Sequence, residues 1–356
     1  MSRLQAVFYG VLLALAIGWI LYIGKGVFVP IIFSILVAYV IVGLARLLVR
    51  LPMLGRFVPD GVALLVSAVM ISLALAGIAW PVATTMGSVA ELAPAYAATL
   101  LNLIQEMAAW LGVEAQPTWT TLRQDVLAHV NTHRLIGTTV VSATAILANL
   151  VVVFLYVVFL LLEQRAFSAK MARISGDPVR VRHFQTITIH LNERIGKYLA
   201  LKTILSVLLG LASWGILALF GVEFAAFWGV MIGLLNFVPY LGSVLSVVLP
   251  TGFALMQFGE VSGVLAVLAC LSIVQFLVGF ILDPHLMGSS LNLSPFVILV
   301  CLAVWSGLWG IAGAFLAVPV TACMVLVFAE FAGTRPIAVL LSRDGTIERN
   351  GTATSE

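Results

Sequence analysis

In and near the C-terminal third of this sequence, few side chains can hold charge: Lys202, Glu223, Glu260, Asp283, His285 and Glu330. Most stand at the ends of long apolar runs, where a charge still reaches water. Asp283 differs. It closes an unbroken apolar run and is followed by Pro284, so its carboxylate meets a backbone that lacks one N–H donor. A carboxylate so placed can take up a proton or Na⁺. Asn236 is the second candidate. It lies in the apolar run Gly233-Leu234-Leu235-Asn236-Phe237-Val238-Pro239-Tyr240-Leu241-Gly242, where a polar amide needs a partner. Its amide, with the carbonyls freed near Pro239, offers contacts to a small polar solute, while Asp283 offers a coupling site for H⁺ or Na⁺.

Other chemistries lack their residues. The sequence has no HExxH metal motif, no GxSxG elbow, no paired aspartates inside apolar runs and no phosphate-binding G-x-x-x-x-G-K-[ST] loop. His129 and His133 are four apart but have no carboxylate or cysteine ligand nearby, so they read as surface histidines, not a metal site. Cys270, Cys301 and Cys323 sit in apolar runs as small hydrophobes. The reading is therefore of a protein that is not an enzyme and needs no metal or cofactor. The net charge of +3 falls in inter-helix clusters and forms no basic stripe for nucleic acid.

The elements that must position Asn236 and Asp283 follow from composition. Hydrophobic residues are 62% of the chain and charged ones 9%. Soluble domains carry about 25% charged residues, so lipid must be part of the solvent. A spanning helix needs about 20 apolar residues. Candidate spans are 6–24, 27–45, 61–84, 139–162, 204–220, 224–256, 260–282 and 295–333. They lack the period-2 alternation of barrel strands, so they are helices. The first two are expected to form a hairpin about Lys25-Gly26. The apolar stretch near the N-terminus has no small-residue cleavage site and reads as a retained first helix.

Loop cations set the orientation. Arg46, Arg50 and Arg56 in 46–60, the many Lys and Arg of 163–203, and Arg335, Arg343 and Arg349 in the tail place these segments in the cytoplasm. Segment 85–138 has only Arg123 and Arg134 against four acids and faces out. Both termini are then cytoplasmic, in an inner or plasma membrane. Leu92, Tyr96, Leu100, Leu103, Met107, Trp110 and Leu111 recur at helical spacing, and a second amphipathic helix fits 118–136. The expected organisation is three N-terminal spans (1–84), external amphipathic helices (85–138), a fourth span (139–162), a basic cytoplasmic helical arm (163–203), a core (204–333) and a tail (334–356). In the arm, Pro178 suits a first helical position, and the second helix runs through Arg194 into Tyr198.

Segments 224–256 and 295–333 are too long for one span. As straight helices they would reach roughly 50 and 60 Å, against a hydrocarbon core of about 30 Å. Each carries breakers: Asn236, Pro239 and Pro250 in the first, Gly307, Gly310, Gly313 and Pro319 in the second. Each must tilt, break or fold back. With 163–203 and the tail on one side, both segments cross or both return. Irregular backbone at membrane depth survives only where protein or a watery cavity satisfies it, and carriers place their sites at such breaks.

The run Gly233 to Gly242 followed by Pro250 resembles the signature of the AI-2E transporter family, which includes the autoinducer-2 exporter. Further matches are Asp283-Pro284 with Gly288, Leu291, Leu293 and Pro295; Gly307, Gly310, Gly313 and Leu316 to Pro319; and Arg194, Tyr198 and Lys202 before the fifth span. The acid before the proline is often Glu in that family and is Asp283 here; Ser294 stands where His is common. The resemblance implies a membrane permease exporting a small polar solute or signal, Na⁺(Li⁺)/H⁺ antiport in some members, and a homo-oligomer. It adds Tyr240, Gly242, Pro284 and Pro295 to the pathway, with Arg194, Tyr198 and Lys202 as coupling or gating residues. A channel or membrane scaffold is the competing reading. The expected fold is all-α and polytopic, with about eight spans and broken or re-entrant C-terminal segments.

Overall fold

The computed structural model describes residues 3–50, 61–78, 149–163, 178–287, 293–331 and 333–345, with isolated positions between 59 and 105. The described residues are helical and form no sheet. Hydrocarbon offers no hydrogen bonds, so an apolar chain must satisfy its backbone within each segment. The helices are α1 (Arg3–Ile23), α2 (Lys25–Arg50), α3 (Gly61–Ile78), α4 (Asn149–Glu163), α5 (Pro178–Leu219), α6 (Ala225–Leu235), α7 (Leu241–Phe258), α8 (Val261–Phe276), α9 (Asp283–Met287), α10 (Pro295–Glu330) and α11 (Arg335–Leu341). A π-helical turn, Leu277–Leu282, joins α8 to α9. Six segments have the length and composition to cross a membrane. Most of 85–138, with His129 and His133, and also Gly288, Leu291 and Arg349, lie outside the described residues.

The chain divides into two compact units. One holds Met1–Ser67, Val151–Leu201 and Met287–Glu356; the other holds Ala68–Leu150 and Lys202–Leu286.

In the first unit, α1 and α2 meet at the single residue Gly24. Its N–H bonds to the Ile20 carbonyl at 2.8 Å, and its carbonyl accepts from Val27 and Phe28 at 2.9 Å. A helical hairpin takes a loop of 2–5 residues, so the expected hairpin is replaced by an end-to-end junction. The Leu21 carbonyl at this joint accepts the Trp309 indole N–H at 2.9 Å.

Helix α10 is a hairpin in its own right. Gly310 breaks it at φ 64°, ψ −141°, a region open essentially to glycine alone. Trp305 Nε1 then donates to Thr321 Oγ1 at 3.2 Å. In a straight helix those residues would stand about 24 Å apart. Gly313 lies so close under the Trp305 carbonyl that a β-carbon has no room. At the open end, the N–H of Ser294 reaches the Leu341 carbonyl at 3.1 Å, and Leu293 pairs with Ser342. The two ends of the segment are therefore side by side. Val318, Ala322 and Val325 pack with Ile195, Tyr198, Leu199, Leu293 and Ala338 as an apolar core.

In the second unit, α6 and α7 form another hairpin. The Trp228 and Phe253 rings lie 5.5 Å apart, and Phe224 stands 5.8 Å from Phe253. Gln257 clamps the base: its Oε1 accepts from the Glu223 N–H at 2.8 Å, and its Nε2 donates to the Gly221 carbonyl at 2.9 Å. Both overlong segments thus fold back on themselves within their own units.

Helix α5 corrects a boundary. The expected cytoplasmic helix and the span 204–220 are one continuous helix, Pro178–Leu219, with Pro178 at its first position. Its length is about 63 Å, roughly twice a hydrocarbon core, so only part of it, within the candidate span Asn192–Leu219, can lie in hydrocarbon.

The Gly310 geometry is testable. Gly310→Ala is expected to lower stability by about 1–3 kcal/mol, whereas Gly307→Ala, where a β-carbon meets nothing within 4 Å, should leave it unchanged or slightly raised. Thermal melting of the purified variants in one detergent checks the contrast; equal losses would contradict the break at Gly310.

Candidate functional site

The α6–α7 hairpin carries its working residues at the tip. Helix α6 can approach α5 closely because both lack side chains where they touch. A β-carbon on Gly210 would lie 2.7 Å from the Gly229 carbonyl oxygen, and one on Gly233 would lie 2.9 Å from that of Ser206. This small-residue contact replaces hydrophobic drive, which is weak between helices in lipid. It sets Asn236, the residue ending α6, against α5.

The reversal itself is tight. Pro239, Tyr240 and Leu241 form a γ-turn: the Leu241 N–H reaches the Pro239 carbonyl at 2.6 Å, with Tyr240 at φ 59°, ψ −59°. That conformation is rare and strained for a residue with a β-carbon. Gly242 then packs on the Leu235 carbonyl with no space for a side chain. Pro239, Tyr240 and Gly242 therefore shape the turn that presents Asn236, while the Tyr240 ring stays exposed.

Asn236, Lys202, Ser206 and Asp283 meet here. Lys202 Nζ donates to Asp283 Oδ2 at 2.9 Å and to Asn236 Oδ1 at 3.3 Å. Asn236 Nδ2 donates to Ser206 Oγ at 3.0 Å. Lys202, Ser206 and Asn236 are buried, and the Asp283 side chain is 23% exposed. Asp283 Oδ1 is itself buried and, among the described residues, has no hydrogen-bond partner. A bare carboxylate oxygen costs desolvation energy unless something fills its place during function.

Asp283 reaches this position through the π-helical turn. Its N–H bonds to the Val278 carbonyl, five residues back, and Pro284 supplies no N–H of its own. The His285 ring, 2.7 Å from the Ile281 carbonyl, covers one acceptor of this region. Such π turns recur at functional sites.

The far end of the hairpin is a second cluster. Tyr96 donates a hydrogen bond to Glu223. Burial, with that bond and the carboxylate charge, holds the Tyr96 phenol above its ordinary range. The Tyr96, Phe224 and Trp228 rings surround Phe253. Glu223, read as interfacial, is a fastening of the hairpin base.

Of the residues singled out in the sequence, the structure joins Lys202, Asn236 and Asp283. Arg194 and Tyr198 stand at four-residue steps before Lys202 on α5; Tyr198 is buried in the apolar core of the first unit. Pro295 opens α10, and Gly310, Gly313 and Pro319 belong to the α10 hairpin. Ser206 was not singled out. Its signal was there, one turn after Lys202 and hence on the same helix face.

Apolar helices broken into re-entrant hairpins, with a buried ion pair at one tip, are the build of a polytopic membrane transporter. The description AI-2E family transporter matches residues 9–333, and the chain belongs to that family. A protein of Borreliella burgdorferi named "Putative transport protein" is 34% identical over 195 residues, covering 54% of each chain. The AI-2 transport protein TqsA of Escherichia coli is 34% identical over 196 residues, covering 55% of this chain and 56% of that one. These two matches span about half the length of each relative. A longer match, with the E. coli "Putative transport protein YhhT", is 29% identical over 293 residues and covers 80% of this chain and 81% of the relative.

Lys202→Met and Asp283→Asn are each expected to cost about 2 kcal/mol of stability, because each strands a partner in a largely buried site. The double variant should lose less than the sum of the two. Melting of all four proteins closes the cycle; strict additivity would show that the pair is not coupled.

Proposed function

We propose that the chain carries a small polar solute or signalling molecule across the inner or plasma membrane, outward, by alternating access around the α6–α7 tip. The observation that supports this reading is the Lys202–Asn236–Asp283 contact, with its bare carboxylate oxygen, at the tip of a re-entrant hairpin. Asn236 contacts the solute, and Asp283 couples its movement to an ion. Lys202 holds Asp283 and Asn236 together in the resting state. The relative named for AI-2 transport makes AI-2 the first solute to try. By the loop charges, 163–203 and the tail face the cytoplasm. With both long segments folding back, Asp283 and the first hairpin's tip lie toward that face, and the Gln257 base lies outward. A homo-oligomer is part of the same reading.

Na⁺(Li⁺)/H⁺ antiport is the second reading, favoured by the same Asp283. Proteoliposome flux separates the possibilities. Saturable counterflow of a polar solute supports a carrier; unsaturated conductance supports a channel. Asp283→Asn and Asn236→Ala are expected to slow counterflow by about tenfold or more, the worth of a charged hydrogen bond. Glu330→Gln, at a span end, should stay within about twofold, since an interfacial charge is cheap to lose. Full-rate transport by both site variants would overturn the proposal.

A further inference from the structure

The Lys202 ammonium sits among oxygen acceptors. Its partners are a carboxylate oxygen, Asp283 Oδ2 at 2.9 Å, and an amide oxygen, Asn236 Oδ1 at 3.3 Å. Two further oxygens belong to the same cluster: Asp283 Oδ1, buried and unpartnered, and Ser206 Oγ, which accepts from Asn236 and keeps a second lone pair. Carboxylate, amide and hydroxyl oxygens at an interrupted helix are the ligands of a hard monovalent cation. Lysine supplies such a cation as a compact point charge on a flexible stem.

We propose that Lys202 is a tethered cation: its ammonium occupies a Na⁺-type site formed by Asp283, Asn236 and Ser206, so the wild-type chain does not bind Na⁺ there, and removing the lysine opens the site to Na⁺. This rests on the transport reading above and names its ion dependence. Charge balance supports it. The site holds one positive and one negative group among the described residues, and a second cation must approach the ammonium to within a few ångströms. At about 4 Å and an effective dielectric near 20, that repulsion weakens binding roughly a thousandfold. Without Lys202, the carboxylate is left with both oxygens bare, and Na⁺ restores neutrality. The ion that Asp283 couples is then a proton, and the inference decides against the second reading above: the wild type neither antiports Na⁺ through this site nor needs it for solute transport.

The test uses the purified full chain in detergent. Binding of ²²Na⁺ and melting in NaCl against equal choline chloride are measured for wild type, Lys202→Ala, Lys202→Ser and Lys202→Ala/Asp283→Asn. The expected result is no specific ²²Na⁺ binding and no Na⁺ shift in wild type. Lys202→Ala and Lys202→Ser should bind saturably, with a melting midpoint raised by Na⁺, and the added Asp283→Asn should abolish both. Saturable Na⁺ binding by wild type that the single variant Asp283→Asn, measured alongside, removes would overturn the proposal. So would a monodisperse Lys202→Ala or Lys202→Ser protein that binds no Na⁺. If neither lysine variant is monodisperse, the same binding and melting are measured on Lys202→Met, for which the expected and overturning results are those of Lys202→Ala. None of these measurements requires flux, so their failure is distinct from the failure of the carrier reading, which counterflow alone decides.

Discussion

The contact of Lys202 with Asp283 and Asn236 ties together the three pieces of the second unit: the long helix α5, the α6–α7 hairpin and the segment through α8 and α9. Lys202 is buried and the Asp283 side chain largely so, and removing either would strand its partner in a poorly solvated site. Each satisfies the other, and the Asn236 amide oxygen takes a second of the ammonium's three donors. Much of the local backbone serves that contact. The Gly210–Gly229–Gly233 contact lets α6 lie on α5. The strained γ-turn at Tyr240 reverses the chain directly after Asn236. The π turn before Pro284 brings Asp283 to the end of its span.

A buried pair of this kind suits a site that must change state. A fully satisfied network would hold the tip in one place, and an apolar tip would have nothing to exchange. Here one carboxylate oxygen is left bare at a tip whose turn is strained. Lys202 bonds both Asp283 and Asn236, and parting from either is the smallest rearrangement that would free their oxygens. The base of the hairpin shows the opposite design. Gln257 takes both a donor and an acceptor of the incoming chain, and the aromatic rings packed on Phe253 fasten it.

Much of this was legible in the sequence, for physical reasons. Lipid permits few structures, so apolar length alone located the helices. A segment such as 295–333, too long to cross once, had to do something else, and its glycines marked where. Asn236 and Asp283 stood out because polar groups in apolar runs are costly. Pairing was not legible. Nothing in the spacing of Lys202, Asn236 and Asp283 says that residues so far apart in the chain share a contact; only the fold-back of α6 and the returning span bring them together. The glycines also could not be sorted by sequence. Gly310 makes the break and Gly313 the close approach, while Gly307 is an open helical position. Two apolar runs separated by a short polar step look like a hairpin, whereas here the two helices are separated by the single residue Gly24.

The claim that Asn236 and Asp283 act as one device is most directly tested by the transport rate of the Asn236→Ala/Asp283→Asn double variant, measured beside both single variants in the same proteoliposomes. If the two residues form a unit through Lys202, the double variant transports no more slowly than the worse single one. A rate reduced by the product of the two single effects would contradict it, since that is the behaviour of residues that act independently.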